Sequence, residues 1–250
     1  MLIVDGLIDA SVYRPVEQWS RLLGGVAFDA VRLPAEESIP DLDPFTHVLL
    51  TGSEARFEEP EPWFDAEADL VCKAADRGLP ILGSCFGHQM LVWALSGAQY
   101  VRRAPCPELG WISVELLVQD GLLGGFPNPW HTFSSHLDEV IDPPRPWRAL
   151  AANRSCAVQA IRYGDRPIWG IQPHPETNPA EGRSLMRAAM ARFPQEADRI
   201  RRALEEPVRD DDVAQCMIDA FLRFGNAQSA IRSASVGCEC ERGGGKGMET

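Results

Sequence analysis

Residues 83–89 read Gly-Ser-Cys-Phe-Gly-His-Gln, which sets one thiol, Cys85, between two glycines. The run before it, Leu79 to Leu82, is apolar and strand-like. A helix-type pattern of Met90, Leu91, Trp93, Ala94 and Leu95 follows at once. This is the sequence form of a strand–tight turn–helix elbow, a device that presents a nucleophile above the end of a sheet. Glycines flank the cysteine because side chains would collide in so sharp a turn. The N–H groups and dipole of the following helix point at the sulfur and favour thiolate over thiol. Taken alone, the same residues also suit a buried cysteine that closes a core strand.

A cysteine nucleophile needs a base, and the base needs a group that orients it. Of the five histidines, His174 stands in Gly170-Ile171-Gln172-Pro173-His174-Pro175-Glu176. The flanking prolines fix the backbone. Glu176 can then accept a hydrogen bond from one ring nitrogen while the other faces Cys85 and takes its proton. By itself, His-Pro-Glu is equally a surface turn. His88 lies on the elbow helix, where a structural role suits it better than that of a base, and His47 and His131 read as strand residues.

The elements that must position these groups alternate. Leu2–Val4, Ala27–Leu33, His47–Leu50 and Leu79–Gly83 are strand-like, with a helix over Pro15–Leu23 and a surface loop, Glu58–Trp63, opening a second helix to about Arg77. That order predicts βαβ units and a parallel sheet. From Ala98 the pattern changes to short strands at Trp111–Val118, Trp130–Phe133, Ala149–Ala152, Ala157–Arg162 and Ile168–Ile171, which suggest antiparallel additions. Ser135–Val140 and Cys106 read as loop. Helices are predicted at Pro179–Arg192, Gln195–Leu204 and Asp210–Phe224. The stretch Gly225–Thr250 has almost no apolar periodicity and is expected to be a disordered tail.

At 250 residues the chain can bury a full core. Its net charge of -12 and lack of a basic stripe argue against nucleic acid. No apolar run approaches the ~18 residues of a membrane span, so a cytoplasmic location is expected. The seven cysteines show no disulfide framework. Cys238 and Cys240 form the single close pair, without a second pair nearby to complete a zinc site. No metal and no cofactor is expected.

The two motifs resemble those of the class I (triad) glutamine amidotransferases, the G-x-C-x-G-x-Q elbow and the closing G-x-Q-x-H-P-E. Glu108-Leu109-Gly110-Trp111, Ser135-His136-Leu137-Asp138-Glu139-Val140, Thr51-Gly52-Ser53 and Glu61-Pro62-Trp63 are similar to its free-standing, GMP-synthase-like branch. The likeness runs in order and spacing over residues 1–193. Beyond it, residues 194–224 are expected to form a helical extension packed on this domain and 225–250 the tail, while the likeness itself implies a flavodoxin-like, open, mostly parallel α/β sheet flanked by helices with a small antiparallel addition. It also implies Cys85, His174 and Glu176 as catalytic residues, the backbone N–H groups of Gly52 and Phe86 as oxyanion donors, Gln89 as a substrate contact, and His136 and Asp138 on the substrate or synthetase side. For His136 and Asp138 a capped turn is the competing reading. Ser84 departs from the aliphatic residue usual before the nucleophile.

The implied reaction is hydrolysis of the side-chain amide of glutamine, or of a γ-glutamyl conjugate, through a γ-glutamyl thioester. Two alternatives stand beside it: a glutaminase that works only when docked to a separate synthetase or ligase, and a γ-glutamyl peptidase or hydrolase. No Walker-type phosphate loop is present, since Gly243-Gly244-Gly245-Lys246 has no strand before it.

Overall fold

A computed structural model of the chain describes residues 1–11, 13–192, 194 and 197–224. The nine strands are β1 (Leu2–Asp5), β2 (Asp29–Arg32), β3 (Val48–Leu50), β4 (Ile81–Ser84), β5 (Val101–Leu116), β6 (Trp130–Val140), β7 (Trp147–Ala152), β8 (Ala160–Tyr163) and β9 (Ile168–Ile171). They form one sheet in the order β2-β1-β3-β4-β9-β8-β7-β5-β6. The first five run parallel. From β8 onward every neighbouring pair is antiparallel. The helices are α1 (Pro15–Ser20), α2 (Phe64–Asp76), α3 (Phe86–Ser96), α4 (Pro179–Arg192), α5 (Ala197–Glu205) and α6, over 214–224. No described helix is long and apolar enough to cross a membrane.

The parallel strands β1, β3, β4 and β9 are buried along their whole length, as strands covered on both faces must be. Alternation divides their side chains between two layers. Leu2, Val4 and Leu50 pack with Phe64, Leu70, Met90 and Leu91 of α2 and α3. Ile3, Leu49, Leu82 and Trp169 face the other way, onto Trp19 of α1 and Met217, Ile218 and Phe221 of α6. A third cluster joins Phe133 of β6 to Met186 of α4 and Ile200 of α5.

The register decides where chemistry can occur. Leu50 pairs with Gly83, Gly83 with Gly170, and Ser84 with Ile171. The carboxyl ends of β3, β4 and β9 therefore lie side by side, and the segments that leave them begin at one edge, where open α/β sheets bind ligands.

Several local expectations need correction. The expected strand Trp111–Val118 is, as far as Leu116, the end of one sixteen-residue strand, β5, whose register shifts between Arg103 and Glu108. Cys106 sits in that irregular stretch, and Pro105 and Pro107 on either side cannot donate to a ladder. Ser135–Val140 is strand, because β6 stays paired with β5 as far as Val101↔Val140. The last helix begins at 214, since Asp211 accepts the His131 backbone N–H at 2.7 Å and lies 3.1 Å from its ring Nδ1. The expected tail and the Cys238–Cys240 pair lie outside the described residues.

Candidate active site

Cys85 has φ 50° and ψ −102°, a left-handed conformation that costs a non-glycine residue free energy unless its surroundings impose it. The surroundings do so. Its N–H donates to Ile171 O at 2.8 Å, and the Gly87 N–H donates to Thr51 O at 3.1 Å, tying the elbow to the ends of β9 and β3. A Cβ at Gly83 would run into the Gly87 carbonyl, and one at Gly87 into Leu50, so both glycines are steric requirements. Cys85 is 5% exposed and lines a cavity of about 560 Å³. Ser135 O lies 3.6 Å and Gln172 Nε2 3.7 Å from Sγ.

His174 follows the end of β9, and its N–H donates to Phe133 O at 2.8 Å. Ring Nδ1 donates to Glu176 Oε1 at 2.8 Å, which leaves Nε2 as the nitrogen available to Cys85. Burial opposes a charge on this ring, but the Cys85 and Glu176 charges and their hydrogen bonds outweigh it and hold the imidazole well above its ordinary value. The ring is thereby held between the cysteine and the carboxylate, each of which favours its protonated form. Glu176 is buried, and its Oε2 has no partner among the described residues.

A residue invisible to the sequence reading completes this group. Tyr13, in the connection between β1 and α1, donates its O–H to Glu176 Oε1 at 3.1 Å and lies 3.3 Å from His174 Nδ1. Burial first, then the Glu176 and Cys85 charges, push its phenol well above the usual range, so it remains a donor. Its ring meets that of His174 edge-on with centroids 5.6 Å apart.

The Gly52 backbone lies beside the same groups. A Cβ there would fall 2.8 Å from His174 Cε1 and 2.9 Å from the Tyr13 hydroxyl. Thr51 braces this strand end, donating to Asp5 at 3.3 Å and accepting from the Gly6 N–H at 3.2 Å. Phe86 opens α3, whose first turn leaves N–H groups without helical acceptors. Its ring stacks on Phe57 at 4.8 Å.

Gln89, His136 and Asp138 all line the cavity, and each is also hydrogen-bonded within the protein. Gln89 Nε2 donates to Asp138 O at 2.6 Å and to Gln172 Oε1 at 3.2 Å. His136 lies 3.0 Å from Asp138 O through Nδ1 and 2.9 Å from Glu108 Oε2 through Nε2. Asp138 accepts the Phe57 N–H at 3.2 Å and Arg56 at 3.4 Å. Glu108 also accepts Asn153 at 2.7 Å and Gln159 at 2.6 Å. Burial would raise this carboxyl, but the His136, Asn153 and Gln159 donors prevail and keep it below its ordinary value. A chain of buried hydrogen bonds thus runs from Glu108 through His136, the Asp138 carbonyl, Gln89 and Gln172 to within 3.7 Å of the Cys85 sulfur. Glu108 and His136 are opposite each other in the β5–β6 ladder. His88 is outside this network. It is fully buried against Gly170, and burial, then repulsion from His136, push its imidazole down to about 3.

Comparison with known proteins agrees with this geometry. The family model described as glutamine amidotransferase class-I matches residues 11–191. A glutamine-hydrolyzing GMP synthase subunit from Saccharolobus solfataricus is 33% identical over 149 residues, covering 60% of this chain and 77% of that protein. Its counterpart from Sulfolobus acidocaldarius is 31% identical over 156 residues, covering 62% and 80%. The fold is similar to the crystal structure of a glutamine amidotransferase from Thermotoga maritima, with a TM-score of 0.73 at 22% identity, over 90% of this chain and 97% of that one. A nucleophile elbow, an oriented histidine and a family match over residues 11–191 lead to one assignment: the chain belongs to the class I glutamine amidotransferase family.

Proposed function

We propose that this enzyme hydrolyses the side-chain amide of glutamine with Cys85 as nucleophile, His174 as proton carrier and Glu176 as its orienter. The Cys85 thiolate attacks the amide carbon, and the negative charge that develops on oxygen meets the N–H groups of Gly52 and Phe86. Such donors are worth ~3–4 kcal/mol each in comparable sites. As the C–N bond breaks, His174 gives its proton to the departing nitrogen, which leaves as ammonia. Water then adds to the thioester, losing its proton to His174. Collapse of that adduct breaks the C–S bond and releases glutamate and the Cys85 thiolate. Glu176 keeps Nδ1 protonated throughout, so the exchange always occurs at Nε2.

The observation that carries this reading is the strand register, in which the ends of β3, β4 and β9 bring Gly52, Cys85 and His174 to one edge, with Glu176 on the far nitrogen of His174. Release of glutamate and ammonia in equal amounts from glutamine tests it, with Cys85→Ala as the control. Glutaminase activity retained in Cys85→Ala refutes it.

A second reading is favoured by the relatives named as glutamine-hydrolyzing GMP synthase subunits. On that reading the chain supplies ammonia to a separate synthetase and reaches full rate when docked. Steady-state glutaminase rates with and without the synthetase from the same organism distinguish the two, and an unchanged rate in the presence of a bound synthetase sinks the docked form.

A further inference from the structure

The cavity beside Cys85 has two unlike kinds of lining. His174, Gln89, His136 and Asp138 are polar, and Ser135 O lies 3.6 Å from the sulfur. The apolar lining comes from Leu185, Ala188 and Ala189 of α4 and Ile200 of α5, together with Leu109 of β5 and Leu137 of β6. At about 560 Å³ it lies within the roughly 300–1,000 Å³ that encloses drug-sized ligands. Free glutamine, with about ten non-hydrogen atoms, is smaller than such ligands and has no apolar end to meet that wall.

The wall is fixed to the body of the protein. Arg21 pairs with Glu181 through two hydrogen bonds, of 2.6 and 2.9 Å. Arg183 donates to Leu204 O at 2.7 Å, joining α4 to the end of α5, and its guanidinium lies 5.6 Å from the centre of the Trp111 ring. A Cβ at Gly182 would fall 2.9 Å from Phe133, so α4 sits directly on β6. Met186 and Ile200 are buried between the two helices and β6. The apolar surface is therefore preorganised, and α5 lies beyond residues 11–191 that match the family.

We infer that the donor this site favours is a γ-glutamyl conjugate of an apolar amino acid, whose side chain lies against α4 and α5. The inference rests on Cys85 being the acylated nucleophile. The covalent step is the same as for glutamine: the amide C–N bond breaks, the amino acid departs with the proton from His174, and water converts the thioester to glutamate. Arg192 and Arg199, each already engaged within the protein, also line the cavity and add positive charge there, which suits the carboxylate that such a leaving group carries and a simple alkylamine lacks.

The test compares γ-glutamyl-leucine with glutamine. On the wild-type enzyme kcat/KM is expected to be at least tenfold higher for the conjugate, the order expected for burying one leucine side chain. Calorimetry on Cys85→Ala should give the same preference in Kd. Ala188→Trp, which fills the wall, should lower the conjugate-to-glutamine ratio of kcat/KM by tenfold or more. Equal or better use of glutamine, no preference in binding, or an Ala188→Trp ratio like that of the wild type each overturns the inference. Labelling of Cys85 by an electrophilic glutamine analogue separates the two failures. A labelled Cys85 with no preference for the conjugate refutes only the donor assignment, whereas an unlabelled Cys85 refutes the nucleophile on which it rests.

Discussion

Replacing Tyr13 by phenylalanine removes one oxygen and leaves the ring that packs on His174. Glu176 Oε1 accepts from both His174 and Tyr13, and Oε2 is buried without a partner among the described residues. The substitution therefore takes away one of two donors from a buried carboxylate. A hydrogen bond to a charged group is worth about 1.5–3 kcal/mol. If roughly half of that is felt when His174 transfers its proton, kcat falls about three- to twelvefold by the usual 1.4 kcal/mol per decade. KM should stay within about twofold, since a role exercised through His174 acts on the transition state rather than on binding.

The pH profile adds a readout that packing alone would not move. His174 is already held well above its ordinary value: burial opposes the charge, and the Cys85 and Glu176 charges overcome it. Without the Tyr13 hydroxyl, the negative charge of Glu176 is shared with one donor fewer and stabilises the imidazolium more strongly. The alkaline limb, where that proton is lost, moves to higher pH. Initial rates of glutamate release between pH 5 and 10, with a thermal melt to verify folding, measure both effects. A folded Tyr13→Phe enzyme with wild-type kcat and an unmoved alkaline limb refutes the assignment of Tyr13 to the Glu176–His174 pair.

Three other substitutions probe separate parts of the structure. Gly52→Ala puts a methyl group 2.8 Å from His174 Cε1 and 2.9 Å from the Tyr13 hydroxyl. Loss of alignment at an oxyanion donor should lower kcat by about a hundredfold or more, and a wild-type rate would show that this backbone is not at the reacting centre. Glu108→Ala strips the acceptor from His136, Asn153 and Gln159, and breaking a buried pair costs about 3–5 kcal/mol, or roughly 6–20 °C in Tm for a chain of this size. Because the Glu108 carboxyl is held below its ordinary value, its contribution is present above the unfolded value of about 4.3 and is lost as pH falls through the folded one. The wild-type advantage should thus shrink below about pH 4, and a Tm difference independent of pH would contradict the pairing. Glu67 behaves oppositely: fully buried, with neither oxygen partnered among the described residues, it is pushed up to about 8 by burial and then by Asp5. Its neutral form suits the fold, so stability is greatest below the unfolded value and erodes as pH rises toward 8. Glu67→Gln should gain on the order of 3–4 kcal/mol over wild type at pH 7 and about 1 kcal/mol at pH 5, as read by urea unfolding.

What can be read from the chain without a structure depends on how far apart the interacting residues are. The elbow is local: Gly83 and Gly87 are needed because their own neighbours within four residues, and the adjacent strand β3, leave no room for a Cβ. His174 and Glu176 are two residues apart, so proline-fixed backbone is enough to suggest their contact. Alternating apolar runs likewise reveal the parallel half of the sheet, where strands are short and buried on both faces. Tyr13 meets Glu176 across 163 residues, from a connection with no regular periodicity, and nothing near position 13 carries a sign of that contact. Glu108 belongs to a recognisable motif, yet its role depends on standing opposite His136 in the β5–β6 register. Reading Ser135–Val140 as loop removes the strand that creates this register, and hides the carboxylate with it. The wall of α4 and α5 is harder still, because Leu185, Ala188, Ala189 and Ile200 read as ordinary core positions of amphipathic helices. Their apolar character reports burial against something, and only the packing of Gly182 on Phe133 and of Ile200 beside Met186 shows that they face a cavity containing the nucleophile. Reaction type is thus encoded in contiguous residues that must bend the backbone sharply, while donor preference lies in packing between helices and strands distant along the chain. Substitutions in the first group should change rate on every donor, and substitutions in the second should change the ranking of donors.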